Sequence, residues 1–391
     1  VSYFNGTDAP IVNVDFDLGN TGIFVLGVSL LGGTDVLGVG SGINWSTLPQ
    51  SDLREMSIRR GRTQENQLNQ PGTLTLILDN MSGNYDPNNS SSPYQWDGYS
   101  IIMAGLGVRV RLTYGGTDYI IFRGYLETAI PSPTLDPTVT MTFTDAMAWL
   151  GRHSLATITS AYSGDTSSAR IGRILDAIGW PSAMRSLAGS RQMQPTTYGD
   201  TALNLCELAT TCEFGRFHAD RQGNIVQIPY ENLFTTTLRF TLSDTRNTGT
   251  IEYDALTTPD GGLYLVNDVT LTQYTGHTQY YNNTASVIRF GLYHKDVTVP
   301  LLNDSDAVTM AQIMGTRYAL PKPRVNHIEF DSYGIGTLWP NVLQADLGDR
   351  INVERTTLGT GSSTYNACIE SLNWDFSSDN IRVTIDLSPA S

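Results

Sequence analysis

The sequence predicts a mainly β protein, α+β overall, with two tube-like antiparallel β-barrel domains and a small helical, α+β insert domain between them. Three observations point there. Short runs of alternating apolar and polar residues recur between Gly, Pro and Asn. Charged residues make up only 16%, so the polar surface comes from Ser, Thr, Asn and Gly, which suits turn-rich sheets better than long helices. The end of the first strand series also resembles the end of the chain. At 391 residues the chain exceeds the usual single-core limit, and its 37 aromatic residues need cores to fill.

The first predicted strand is Ile11–Leu18, which alternates with the period of a half-buried strand. The Gly-rich segment 31–42 follows. It lacks the Gly-Lys-Ser/Thr ending of a phosphate loop, which leaves a bulged or flexible loop. Five more strands are expected at Arg54–Arg59, Thr73–Asp79, Val108–Tyr114, Tyr119–Leu126 and Val139–Thr144. Gly83-Asn-Tyr-Asp-Pro87 and the Asn/Ser-rich stretch after it break the series with turn residues.

After Asp145 the texture becomes helical. Ser168–Ile178 puts Ile171, Ile174, Leu175 and Ile178 on one face and stops at Gly179-Trp-Pro181. Thr201–Cys212 follows a capping-type Asp200, and a hairpin is expected over Phe217–Ile225. Strands return from Ile251 to Leu387. One helix interrupts them, from Asp304 to about Ala319, before Pro321 and Pro323. The expected divisions are a β segment with the Gly-rich loop over 1–53, a first barrel over 54–150, a small α+β domain over 151–230, and a second barrel over 231–391 with its helical insertion near 304–319.

The echo aligns Gly107-Val-Arg109 with Gly348-Asp-Arg350, and Val139–Asp145 with Ile381–Leu387. From Arg109 to Val139 is 30 positions, and from Arg350 to Ile381 is 31. Ordinary hairpins can converge on such a pattern, but matched spacing favours one barrel duplicated around an insert.

Composition excludes several function classes. The net charge is −14, and no basic stripe is present to neutralise phosphates, so specific nucleic-acid binding is not expected. No Lys or Arg precedes Arg54, and Arg54, Arg59, Arg60 and Arg62 form the one dense basic spot. Cys206, Cys212 and Cys368 do not make a disulfide framework or a metal-ligand spacing. The five histidines (His153, His218, His277, His294 and His327) stand far apart with no HExxH motif, and no Gly-x-Ser-x-Gly elbow occurs. No catalytic, cofactor or metal site is expected, and neither a signal peptide nor a membrane anchor.

Arg59-Arg60-Gly-Arg62, Pro71 through Asp79-Asn80, Gly83-Asn-Tyr-Asp86-Pro87 and Pro93-Tyr94 resemble the minor tail proteins of siphophages infecting actinobacteria. The order of barrel, helical domain with Gly215–Asn224, and second barrel resembles the tail-tip or baseplate hub family over nearly the full chain. That resemblance implies a virion protein at the tail tip: a homotrimer adapting the sixfold tube to a threefold tip and ending the DNA conduit. The partners it implies are the distal tail ring, tail tube, tape measure and tip or receptor-binding proteins, with genomic DNA passing but not specifically bound. Two other readings are a hexameric distal tail ring protein and a carbohydrate-binding tip module using Tyr280, Tyr281 and Trp339. Within the motifs, Asp79, Asn80 and Asp86 are expected to bracket a turn. Arg59, Arg60 and Arg62 are candidates for pairing with carboxylates on a neighbouring subunit, with solvated surface arginines as the other reading, and Arg109 and Arg350 are candidate subunit-interface or structural residues.

Overall fold

The computed structural model describes residues 9–19 and 44–390, except 66, 97, 156–163, 197–198, 234–236, 246, 259–263, 322–323, 334, 358–360 and 378–379. The Gly-rich segment 31–42 and Pro323 lie outside the described residues. The first third of the chain forms β1 (Ile11–Asp17), β2 (Trp45–Thr47), β3 (Leu53–Gly61), β4 (Gln70–Asp79), β5 (Gln95–Trp96), β6 (Tyr99–Ser100), β7 (Gly107–Tyr114), β8 (Thr117–Ser132) and β9 (Thr138–Thr144). The middle holds α1 (Ala146–Arg152), α2 (Ser167–Ala177), β10 (Arg185–Leu187), α3 (Ala202–Thr211), β11 (Arg216–Ala219) and β12 (Ile225–Ile228). Next come β13 (Leu238–Ser243), β14 (Ile251–Glu252), β15 (Ala255–Thr257), β16 (Asp268–Gln273), β17 (Thr278–Asn282), α4 (Thr284–Phe290), β18 (His294–Val299) and α5 (Asp304–Arg317). The last part is β19 (His327–Asp331), α6 (Trp339–Gln344), β20 (Arg350–Thr357), β21 (Gly361–Phe376) and β22 (Ile381–Pro389).

The alternating runs are strands because every second residue enters one core. Leu74, Leu76 and Leu78 of β4 are fully buried, as are Val108, Val110 and Leu112 of β7 and Val139, Met141 and Phe143 of β9. The helices start where side chains accept free backbone N–H groups. Asp145 caps α1 through Met147, Thr166 caps α2 through Ala169, and Thr201 caps α3 through Asn204. Thr201, not the expected Asp200, is the α3 cap, and Asp200 instead accepts from the Thr201 N–H and the Asn204 amide.

The echo is a repeated strand order. One set runs β1-β7-β8-β9-β4-β3, and the other runs β13-β20-β21-β22-β19-β15. Gly107 stands opposite Tyr125 as Arg350 stands opposite Cys368. At the same offset, both long strands carry a register shift at a glutamate, Glu127 and Glu370. The loop bonds repeat too. Gly105 N–H donates to Leu126 O at 2.9 Å and Gly348 N–H to Ile369 O at 2.8 Å. Both glycines have positive φ, which a side chain would oppose. The sets differ at one joint, since β1 runs antiparallel to β7 while β13 runs parallel to β20.

This register corrects the alignment read from sequence. Arg350 occupies the place of Gly107, and Arg109 matches Asn352. The slip is two residues, which keeps every side chain on its own face and is invisible to an alternation pattern.

The expectation of two separate closed barrels is also revised. Among the described strands the pairing does not close into a ring. β3 pairs with β4 on one edge and with β21 on the other, so both sets join one 14-stranded sheet over a shared core. A second core lies under α1, α2 and α3. It also takes in Val269, Leu271, Val299, Leu301, Met310 and Met314, from a stretch the sequence reading grouped with the second barrel.

Candidate assembly site

The seam where β3 meets β21 gathers most of the singled-out arginines. Met56, Ser57 and Ile58 stand opposite Phe376, Asp375 and Trp374. Met56, Ile58, Trp374 and Phe376 are buried, and the Trp374 and Phe376 rings stack at 6.1 Å. On the outer face Arg59 donates to Asp375 at 2.6 Å with both groups nearly half exposed, a pair worth at most about 1 kcal/mol.

Arg60 and Arg62 point inward. Arg60 donates to Asp346 at 2.7 Å and to the Ala219 carbonyl at 2.9 Å. Arg62 donates to Glu370 at 2.7 Å and to the Gln67 carbonyl at 2.7 Å. The carboxylates these guanidiniums meet belong to the same chain. Glu370 is 2% exposed and also accepts from Arg216 and Ser388. Burial pushes its pKa up, but Arg216 and Arg62 outweigh that and hold its carboxyl below the ordinary range. Asp346 is similar: burial raises it, Arg60 and His218 pull it down, and the result is a lowered pKa. A third carboxylate, Glu65, accepts from Arg317 at 2.6 Å and Arg324 at 2.9 Å.

Three carboxylates, Glu370 buried and Asp346 and Glu65 largely enclosed, are each held by arginines and therefore pin the end of β3 to the middle domain and to the second strand set. Each pair combines charge with a directional guanidinium fork, which fixes relative placement. Gly61 is needed here, because its φ is +99° and a Cβ would run into the Glu370 carbonyl oxygen. Beside the cluster, His218 is buried and its pKa is pushed down to about 4 by burial.

The other expected residues sit elsewhere. Arg109 donates to the fully buried Asp15 at 2.6 Å and lies 4.5 Å over the Trp45 ring, joining β1, β2 and β7. Arg350 opens β20. Asp79 pairs with Arg54 and accepts from Met81 N–H at 2.9 Å, and its pKa is lowered chiefly by Arg54. Asn80 accepts from Tyr85 N–H at 2.9 Å, and Asp86 accepts from Asn88 N–H at 2.9 Å. The turn thus places Tyr85 in the core, where its hydroxyl donates to Asp52 at 2.6 Å. Sequence reasoning missed Glu65, Asp346, Glu370 and Arg216. The available signal was the arginine excess in a chain with two lysines, Lys295 and Lys322.

No cluster of three or more metal-ligating side chains occurs among the described residues. Among the described residues, no helix is long and apolar enough to cross a membrane.

Two solved structures superpose over most of the chain. A tail protein from Neisseria meningitidis MC58 matches with a TM-score of 0.62 at 11% identity, covering 97% of this chain and 96% of that one. The chain has that protein's fold. The 43 kDa tail protein of prophage MuSo2 from Shewanella oneidensis matches with a TM-score of 0.56 at 14% identity, covering 89% of this chain and 97% of that one. No family model matches the sequence, and no curated protein matches it.

Proposed function

We propose that this chain is a structural protein of a bacteriophage tail, and within the tail the hub at its tip. The fold shared with two tail proteins, one of them from a prophage, supports the first step. The repeated six-strand order supports the second. Three copies of a chain that carries one unit twice present six similar surfaces. A plain trimer cannot meet a sixfold tube through equivalent contacts, and a doubled one can. The two strand sets would form the ring at the end of the DNA conduit. The middle domain, tied to them by the arginine-held carboxylates, would set the threefold shape below.

In this reading the chain carries no catalytic chemistry and works by position. Its neighbours are the distal tail ring, the tail tube, the tape measure and the tip or receptor-binding proteins. A hexameric distal ring needs only one unit per chain and would leave the second set without a use. Electron microscopy of tails decorated with an antibody against this chain tests the assignment. Label confined to the tip is expected, and label along the tube or on the head would overturn it.

A further inference from the structure

A cavity of about 260 Å³ lies where three parts of the chain meet: the connection from β3 to β4, the second half of α3 with β11, and β18 with α5. Phe214, Phe217, Leu233, Val297, Met310 and Met314 line it, so its wall is mainly apolar. The methionines give that wall flexible surface that adapts to an occupant. The volume falls just below the about 300–1,000 Å³ of sites for drug-sized molecules, which suits a smaller ligand.

Most of the charge at this wall is already used. Arg62 and Arg216 are paired to Glu370, and Glu65 is held by Arg317 and Arg324. Glu207 is different. It shares one face of α3 with Thr210 and Thr211, at helical spacings of i+3 and i+4. Those two hydroxyls donate to the Cys206 and Leu208 carbonyls. The Glu207 side chain accepts no hydrogen bond and joins no ion pair among the described residues, yet the residue is only 9% exposed. Burial alone pushes its carboxyl up to about 7. Lys295 lies on the same face of β18 as Val297 and also lines the cavity, but it is only part-buried. Its stem covers the wall while its ammonium stays in water.

We propose that this cavity binds a small organic cation, with its ammonium on Glu207 and an aromatic or aliphatic body against the phenylalanines and methionines. An enclosed carboxylate without a partner is costly. A neutral occupant would leave it unpaired, and an anionic one would be repelled by it. A cation with an apolar body satisfies both the charge and the wall. This binding is independent of the chain's place in the tail.

Calorimetric titration of the full chain with phenethylamine at physiological ionic strength tests the proposal, with phenethyl alcohol as the neutral probe of the same shape. One-to-one binding of the amine is expected, with the alcohol about 10–100-fold weaker, the size of a charge-assisted hydrogen bond. Glu207→Gln should weaken the amine by a similar factor and leave the alcohol unchanged. Glu207 has no partner to lose, so this variant should melt no lower than the parent. Amine affinity should also fall as pH drops through about 7, where Glu207 takes up a proton and the amine stays charged. Equal binding of amine and alcohol, amine binding untouched by Glu207→Gln, or no saturable binding to the parent would each overturn the proposal. A lower melting temperature in Glu207→Gln would show the carboxylate to be paired within the fold, and would overturn it too.

Discussion

Replacing Glu370 by Gln removes one charge from a buried ion cluster while keeping the shape of the side chain. Glu370 is 2% exposed, Arg216 3% and Arg62 9%. Without the carboxylate, two guanidiniums remain buried with no opposite charge between them. Breaking a buried pair from one side costs about 3–5 kcal/mol, a large fraction of the stability of an ordinary domain. Glu370→Gln should therefore lower the urea midpoint substantially, read through tryptophan fluorescence, to which Trp374 at the neighbouring seam contributes. The pH dependence has a fixed sign. The folded-state pKa of Glu370 is lowered, so its contribution is fully present above the unfolded value of about 4.3. It is lost as pH falls through the folded value. The gap between parent and variant should be widest near neutrality and shrink in acid below about pH 4. A loss under about 1 kcal/mol at pH 7, the range of an exposed pair, would refute the view that this cluster holds the halves together.

Three further outcomes follow from particular groups. His218 is buried with its pKa lowered to about 4. The unfolded chain therefore takes up a proton below about pH 6.5 that the folded one refuses until near pH 4. Stability should fall across that window, and His218→Leu should remove that part of the slope in melting curves. Asp86→Ala should cost about 1 kcal/mol through lost turn hydrogen bonds. Unchanged melting together with loss of a specific ligand would make the turn a binding site. With a net charge of −14, the purified chain should show no salt-sensitive duplex binding by fluorescence anisotropy at physiological ionic strength.

Local periodicity carried the secondary structure well, because alternation and helix caps are short-range. Ile11–Leu18, Thr73–Asp79 and Val139–Thr144 are strands within a few residues of their expected limits, and the helices near 168, 201 and 304 all form. The repeated strand order was legible for the same reason, although the two-residue slip at Arg350 was not. Long-range partnership was illegible. Arg62 and Glu370 lie 308 residues apart, and Arg216 and Glu370 lie 154 apart. Nothing in the pattern of either neighbourhood marks them as partners. β15 has three residues, too few to show a period. Among the described strands it pairs with β19 alone, while β3 pairs on both edges. The open sheet could not be foreseen either. Whether β3 closes its own barrel or crosses to β21 depends on which edge it meets, and alternation describes faces, not edges.

In the proposed hub, one chain supplies two similar units to a ring of three. Native mass spectrometry of rings released from tail tips, combined with averaged end-on images of the same particles, tests it most directly. The account predicts a mass of three chains and six similar densities around the axis. Six chains in the ring, or three chains showing only three densities at the level of the strand sets, would contradict it.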